Sequence, residues 1–291
     1  MEISRDVSQS RPPRLCVSIV VHTLDTQVLR QTLQSLAIAA QQALRQQHLS
    51  DCQLYLIDNG DSDSNVMPLR DVLDGWSETG LEGELITGHG NLGYGRGHNL
   101  GLSHAQQLAD AGNDLYLILN PDVIVQPDAL CVGVAWLQSH QRTVAVAPSI
   151  SDGHGGSASA CKRYPSVLDF LLRGFAPEAV KQRFHERLAH YDMQDLPDDR
   201  PSEDIPVISG CFMLFRLTTL KSLNGFDPRY FLYFEDFDLA LRAHRLGTLT
   251  YLPGMRITHL GGNSAKKGLR HIGMFGRSAL RFFNTHGWRW T

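Results

Sequence analysis

Four short stretches of this chain end in residues that can do chemistry. The run Leu54-Tyr55-Leu56-Ile57 ends in Asp58-Asn59-Gly60. A carboxylate and an amide at the carboxyl end of a strand can accept from and donate to the edge of a nucleobase, although Asp, Asn and Gly also make an ordinary turn. The run Leu115–Leu119 ends in Asn120-Pro121-Asp122, which puts a carboxylate on a sharp turn where an oxygen-ligated Mg²⁺ or Mn²⁺ could bridge it to a diphosphate. Asp122 is therefore the best metal-ligand candidate in the chain. His259 closes a later apolar run, and a neutral imidazole there could complete the metal's shell. Finally, Glu235 and Asp236 open a helical pattern behind a dense group of aromatics that includes Phe231, Tyr233 and Phe234. Aromatic rings can wall an acceptor sugar, and a carboxylate beside them can take the proton of an acceptor hydroxyl while a metal carries a leaving diphosphate.

A glycine-rich loop adds a fifth station. Gly88, Gly90 and Gly93 follow a strand pattern and precede a helical one, in the spacing of a dinucleotide-binding fingerprint. That fingerprint belongs after the first strand, with an acid at the end of the next, whereas here the next strand ends in Asn120. The loop fits better as a place where backbone amides and Arg96 approach a diphosphate or its sugar.

The elements that must position these residues follow from periodicity. Leu15–Val21, Gln53–Ile57, Glu84–Ile86, Leu115–Leu119 and Val144–Ala147 read as strands. Leu29, Leu33, Leu36, Ala40 and Leu44 recur at helical spacing, and further helices are expected over Gly95–Ala111 and Pro127–Ser139. Alternating strands and helices over residues 15–150 mean an α/β fold with a mainly parallel sheet covered on both faces, whose ligands bind at the carboxyl ends of the strands. Residues 151–206 lose this pattern and read as an irregular insert with a helix around Pro177–Ala189. Order resumes at Val207–Phe215, followed by a helix over Asp236–Leu246 and strands near Leu249–Leu252 and Arg256–His259. Residues 207–264 form the second, catalytic half.

Composition sets the outer bounds. With 291 residues, 42% hydrophobic and 20% charged, the chain can bury a full core. Its longest apolar runs are far below the ~20 residues that span a bilayer, and residues 1–14 form a polar leader without a signal-peptide core. A cytoplasmic protein is expected. The five cysteines have no metal-ligand or disulfide spacing. Net charge is −3, yet nine Lys and Arg residues and no acid follow Asp238, which suggests an anionic partner for the C-terminus. If Lys266–Phe283 is helical, Lys266, Arg270, Arg277 and Arg281 share one arc, with Leu269, Ile272, Phe275, Leu280 and Phe283 opposite. With Trp288 and Trp290 beyond it, residues 265–291 form a basic amphipathic segment suited either to the catalytic domain or to the inner face of an anionic membrane.

Taken together, these blocks, from Val17 to about Ser264, resemble glycosyltransferase family 2, the GT-A fold, and within it the rhamnosyltransferase-like branch. The resemblance implies an inverting, metal-dependent transfer of a sugar from a nucleoside diphosphate to a cell-surface glycan or lipid-linked acceptor, with Mg²⁺ or Mn²⁺ as cofactor and no nucleic acid as partner. It implies donor contacts from Thr23, Asp58, Asn59, Asn91, Gly93, Arg96, Asn99, Asn120 and Asp122, metal contacts from Asp122 and His259, and catalysis by Asp236 with Glu235. Acceptor contacts would come from Gly210, Phe231 and Tyr233. The branch points to dTDP-L-rhamnose, with UDP-sugars next. Two departures stand out: His22, Leu24 and Asp25 replace an aliphatic residue, Tyr and Asn, and the metal motif has one carboxylate in place of two. The rival readings are an NDP-sugar nucleotidyltransferase, a dehydrogenase, and a non-catalytic glycan-binding protein. Against the first, His22–Gln27 lacks the glycine and lysine of a triphosphate loop.

Overall fold

A computed structural model describes residues 11–61, 63–108, 112–152, 157–261 and 269–291. Residues 1–10 of the expected leader therefore lie outside the described residues, as do Lys266 and Lys267, and Arg14 already belongs to the first strand. The chain begins with β1 (Arg14–Val21), α1 (Thr26–Arg45), β2 (Asp51–Asp58), α2 (Val66–Ser77), β3 (Glu82–Ile86), α3 (Tyr94–Leu108) and β4 (Leu115–Leu119). It continues through β5 (Val123–Val125), α4 (Ala129–Ser139), β6 (Thr143–Ser151), β7 (Ser157–Ser159) and β8 (Cys161–Lys162) to α5 (Val167–Phe175), α6 (Glu178–Arg183) and α7 (His185–Tyr191). Last come β9 (Val207–Ile208), β10 (Phe212–Arg216), α8 (Leu217–Leu223), α9 (Glu235–His244), β11 (Thr248–His259) and α10 (Leu269–His286).

The main sheet runs β3-β2-β1-β4-β10-β6-β11-β5, with β7 added to β6. Strands β1, β2, β3 and β4 are parallel to one another, β11 is parallel to β6, and β10 runs antiparallel between β4 and β6. This is a mixed, mainly parallel α/β sheet of the expected class. Every residue of β4 is buried, as a central parallel strand covered on both faces requires. Helices α1, α2 and α4 pack together in one layer, and α3 contacts α9 in another. Helix α3 approaches the sheet closely because Gly97 lies over Val20 and Gly101 over Ser18 and Tyr116, where a Cβ would meet side chains at about 3 Å.

Two expectations change. The strands expected near Leu249–Leu252 and Arg256–His259 are one strand, β11, whose register shifts between Leu252 and Arg256. Pro253 cannot donate to a ladder, so the interruption becomes a bulge and not an end. The insert over 151–206 is also more regular than its composition suggests. It carries α5, α6 and α7, and α5 is closed at its start by a capping box in which Ser166 and Asp169 exchange side-chain and backbone hydrogen bonds. Arg187 then clamps that cap, its Nε donating to Asp169 Oδ1 at 2.7 Å.

The topology gathers one edge of the sheet. Val21, Asp58 and Leu119 end parallel neighbours; Phe212, which starts β10, is paired with Leu119; and His259 ends β11 beside Val123. Every candidate strand-end residue thus lies along the same rim.

Candidate active site

Beside that rim, α9 begins with Glu235 and Asp236. The two preceding residues, Tyr233 and Phe234, both have left-handed backbones, with φ of 69° and 66°. Non-glycine residues pay ~1–3 kcal/mol for such conformations and hold them only where packing over-determines them. Here the packing is aromatic: Phe234 lies 4.9 Å from Phe170 of α5, 5.1 Å from Phe275 and 5.2 Å from Phe282 of α10. Insert and C-terminal helix together therefore brace the turn that launches α9.

Asp236 faces the rim. Its Oδ2 accepts from the Gly210 N–H and its Oδ1 from the Phe237 N–H, both at 2.9 Å. Gly210 makes this possible, since a Cβ there would meet Asp236 and the Tyr94 hydroxyl at 3.3 Å. Burial raises the Asp236 pKa above the usual carboxylate range, against the pull of these backbone donors and of Lys162. Glu235 is also raised, by burial and then by the charge of Asp236, and its Oε2 is buried without a hydrogen-bond partner. A neighbouring pair pushed upward in this way supplies a carboxylate that binds a proton more readily than an exposed one.

The other chemistry-bearing turn lies close by. Asp122 Oδ1 and His259 Nε2 face each other at 3.2 Å, brought together because β5 pairs antiparallel with the end of β11 and the Leu260 N–H donates to the Asp122 carbonyl. The carboxylate oxygen suits Mn²⁺ or Mg²⁺, and the imidazole nitrogen is tolerated better by Mn²⁺ than by the harder Mg²⁺. Among the described residues no third Asp, Glu, His or Cys joins them, so most of an octahedral shell would be left to diphosphate oxygens and water.

Tyr94 links the two turns. Its hydroxyl lies 2.6 Å from the Gly210 carbonyl and 3.0 Å from Asn120 Oδ1. Burial raises its pKa well above the usual phenol value, and the charges of Asp236, Glu235 and Asp122 raise it further. Its ring meanwhile lines a cavity of about 180 Å³ at the ends of β1 and β2, bounded by His22, Asn59, Asn91, Phe231 and, from α10, His271.

Of the candidate donor residues, Asn59, Asn91 and Gly93 line this cavity, and Asp58, Arg96 and Asn99 lie outside its wall. Asn59 accepts from the Leu92 N–H through Oδ1 and donates through Nδ2 to Asn91 Oδ1 and the Gly93 carbonyl, pinning the glycine loop to β2. Gly93 has φ of 86°, and a Cβ on it would lie 2.2 Å from the Phe231 carbonyl, the oxygen that accepts from the Tyr94 N–H at 3.0 Å. Asp58 is buried, and its Oδ1 accepts from the Gly60 N–H and Asn65 Nδ2. Arg96, expected at the diphosphate, donates Nε to the Pro228 carbonyl at 2.6 Å. Asn99 clamps Phe226, accepting from its N–H and donating to its carbonyl. Both orientations have one cause: successive residues of α3 rotate around the helix axis, which carries positions 96 and 99 toward the loop at 225–228. Thr23 is exposed beyond β1 and is not among the residues bounding the cavity. Phe231 walls the cavity, whereas the Tyr233 hydroxyl pairs with His271 Nδ1 at 3.0 Å. Tyr94 and His271 carried no signal in the sequence beyond the placement of Tyr94 directly after Gly93, whereas His22 stood out there as a departure from the family's pattern.

The model of the "Glycosyltransferase like family 2" family matches residues 12–271. The chain belongs to that family. An N-acetylglucosaminyl-diphospho-decaprenol L-rhamnosyltransferase of Mycobacterium tuberculosis is 31% identical over 219 residues, 69% of each chain. Rhamnosyltransferase WbbL of Escherichia coli K12 is 26% identical over 58% of this chain and 61% of its own. In fold, this glycosyltransferase is similar to GalNAc-T7, solved with UDP, GalNAc and Mn²⁺ (TM-score 0.61, 15% identity, 94% of this chain and 51% of that one). It is also similar to the mannosyltransferase PcManGT of Pyrobaculum calidifontis, solved with GDP-Man and Mn²⁺ (TM-score 0.57, 17% identity, 94% and 65%).

Proposed function

We propose that this glycosyltransferase moves L-rhamnose from dTDP-L-rhamnose onto a lipid-linked, GlcNAc-containing acceptor with inversion at the transferred carbon. The observation that carries the chemistry is Asp236, a carboxylate with a raised pKa, held by two backbone N–H groups and joined through Gly210 and Tyr94 to the Asn120 turn that carries Asp122. The names of both rhamnosyltransferase relatives support the sugar, and that of the Mycobacterium tuberculosis relative supports the lipid-linked acceptor.

Asp236 takes the proton of the acceptor hydroxyl as its oxygen attacks the anomeric carbon. The bond from that carbon to the diphosphate breaks on the opposite face, so one displacement inverts the configuration. Asp122 and His259 would hold Mn²⁺ or Mg²⁺, which neutralises charge on the leaving diphosphate. Tyr94 keeps Gly210, and through it Asp236, in register with Asn120 and the metal turn. Phe231 and the Asn59–Asn91–Gly93 lattice shape the donor cavity. The aromatic turn at Phe231–Phe234 offers a wall for the acceptor sugar.

The C-terminal helix serves both the enzyme and its acceptor's surroundings. Its inner face, with Phe275, Ser278, Phe282 and Phe283, packs on the α9 turn. Its outer face leaves Ile272 and Leu280 exposed, together with Arg277, and Trp288 and Trp290 follow. The arc expected from sequence is thus shifted, since Ile272 and Leu280 point away from the face that Phe275 and Phe283 bury. No helix among the described residues is long and apolar enough to cross a membrane. Exposed apolar side chains interleaved with arginine suit an anionic lipid surface, where a lipid-linked acceptor is anchored.

The test is transfer from a panel of dTDP-rhamnose, UDP-GlcNAc, UDP-Gal and GDP-mannose to a polyprenyl-diphosphate-GlcNAc analogue, with the product's anomeric configuration read by NMR. Rhamnosylated, inverted product from dTDP-rhamnose is expected. Transfer only from another donor, or a retained configuration, would overturn the assignment.

A further inference from the structure

Two cations of the insert flank the turn that launches α9. Lys162 ends β8, which pairs with β9 so that Lys162 lies opposite Val207, and the Ser209 N–H donates to the Ala160 carbonyl at 2.7 Å. The next residue is Gly210, whose N–H holds Asp236. Lys162 is thereby fixed near the base, where its charge opposes the rise that burial gives the Asp236 pKa. Arg173 approaches from α5. It follows Phe170 by three residues, about one helical turn, and the Phe170 ring packs edge-on against Phe234, the residue before Glu235.

Both cations share a single acid. Lys162 Nζ lies 2.9 Å from Oδ1 of Asp192, the residue after α7, and Arg173 Nη1 donates to that same oxygen. Among the described residues neither cation pairs with another carboxylate, so the cluster keeps a net positive charge. Its donors are also underused. The ammonium has three protons and meets Asp192 and the Ser159 carbonyl, the latter at 2.8 Å. The guanidinium has five and gives one nitrogen to Asp192, while its plane is held over the Tyr191 ring at 5.5 Å. The Lys162 side chain is only 14% exposed. An ammonium so far withdrawn from water is costly beside a counter-charge it must share, and an anionic ligand would lower that cost.

We infer that Lys162 and Arg173, aligned by Asp192, bind the diphosphate that joins the acceptor sugar to its lipid. The inference rests on the proposed lipid-linked acceptor, and it adds the residues that recognise the linker. In such an acceptor the diphosphate leaves the anomeric carbon of the same sugar whose hydroxyl Asp236 deprotonates. Its binding site must therefore lie within one sugar's width of the base, as β8 and α5 do. Each phosphate carries a negative charge and oxygens that accept charge-assisted hydrogen bonds, from the ammonium as a point charge and from the guanidinium as a planar fork. The leaving diphosphate of the donor is served by a different element, the turn of Asp122 and His259. Two diphosphates flanking one reacting hydroxyl thus have separate partners.

The experiment compares two soluble acceptors on the full chain, without vesicles: a GlcNAc diphosphate bearing a short alkyl chain, and the neutral glycoside with the same chain on its anomeric oxygen. The readout is the ratio of their kcat/KM values, in which any change in the base itself cancels. Wild type should favour the diphosphate by ~10-fold or more, the scale of hydrogen bonds to a charged group. Lys162→Gln and Arg173→Gln should each lower that ratio and together bring it close to one, while Lys162→Arg keeps most of it. Thermal melting checks that each variant folds, and the exposed Arg173 side chain (43%) gives a second variant should Lys162→Gln unfold. A ratio that both variants leave intact while activity on both acceptors falls would make the cluster a brace for the insert and overturn the assignment. A fall in the ratio seen only with anionic vesicles would give the cluster to lipid headgroups and overturn it too. Transfer to both acceptors with equal efficiency in wild type removes the cluster alone, whereas transfer to neither, from any donor of the panel, removes the lipid-linked GlcNAc reading along with it.

Discussion

Replacing Gly93 by alanine tests how tightly the donor loop is tied to the acceptor-side turn. At φ of 86°, an added Cβ would sit 2.2 Å from the Phe231 carbonyl oxygen, far inside van der Waals contact and against backbone that cannot rotate away. Two costs combine. The left-handed conformation costs an L-residue ~1–2 kcal/mol, and forcing an extra carbon into a packed contact costs ~1–3 kcal/mol. If the loop keeps its place, Gly93→Ala should lose ~2–5 kcal/mol, which for a chain of this size lowers the melting temperature by several degrees (~2–4 °C per kcal/mol). If the contact yields, Phe231 must withdraw, breaking the Tyr94 N–H to Phe231 carbonyl bond of 3.0 Å and loosening the hydroxyl that joins Gly210 to Asn120. In that case kcat/KM falls while the melting temperature recovers. Differential scanning calorimetry and steady-state kinetics on one preparation separate the two routes. A variant with wild-type melting temperature and wild-type kcat/KM would refute the claimed coupling.

Other outcomes follow from the same geometry. Glu235 binds its proton more tightly in the folded than in the unfolded chain, so its contribution to stability declines as pH rises from the ordinary carboxylate range toward its raised folded pKa. Glu235→Gln should flatten that decline and gain stability relative to wild type as pH goes from about 5 to about 8, read by thermal unfolding across pH; parallel curves for the two proteins would contradict the buried-acid assignment. Asp122→Ala should weaken dTDP binding in Mn²⁺ by ~10-fold or more and leave binding in EDTA little changed, measured by calorimetry; wild-type affinities unaffected by metal would make Asp122 a turn residue. For the membrane, deleting α10 would strip the aromatic support from α9, so point changes are the sound test. Ile272→Asp with Leu280→Asp should abolish co-sedimentation with phosphatidylserine vesicles while keeping activity on a soluble acceptor, and unchanged sedimentation would dismiss that face as a docking surface.

How much of this was legible in the sequence depends on the range of the interaction. Helix α1 announced itself because Leu29, Leu33, Leu36 and Ala40 repeat at the helical period and are all buried, and β4 did so because both its faces are covered. Helix α5 was missed although Ser166 and Asp169 stand at capping-box spacing; its aromatic Phe170 finds partners only on α9 and α10. The pairing of Asp122 with His259 followed from residue type, but the contact itself needed β5, three residues long and too short to show a period. Arg96 and Asn99 lie close to Gly93 in sequence, but a helix separates neighbours by rotation, and their bonds to the loop at 225–228 could not be read from spacing alone. Tyr94 was overlooked since nothing local marks a phenol whose hydroxyl reaches Gly210, 116 positions away.

The central claim is that Asp236 removes the acceptor's proton. Single-turnover transfer by Asp236→Asn, with dTDP affinity measured in parallel, tests it most directly. The amide cannot take a proton, yet its carbonyl can still accept from Gly210 or Phe237. Transfer should therefore fall by ~10²–10⁴-fold, the usual contribution of a general base, with dTDP affinity and melting temperature close to wild type. Transfer at the wild-type rate by that variant would contradict the account.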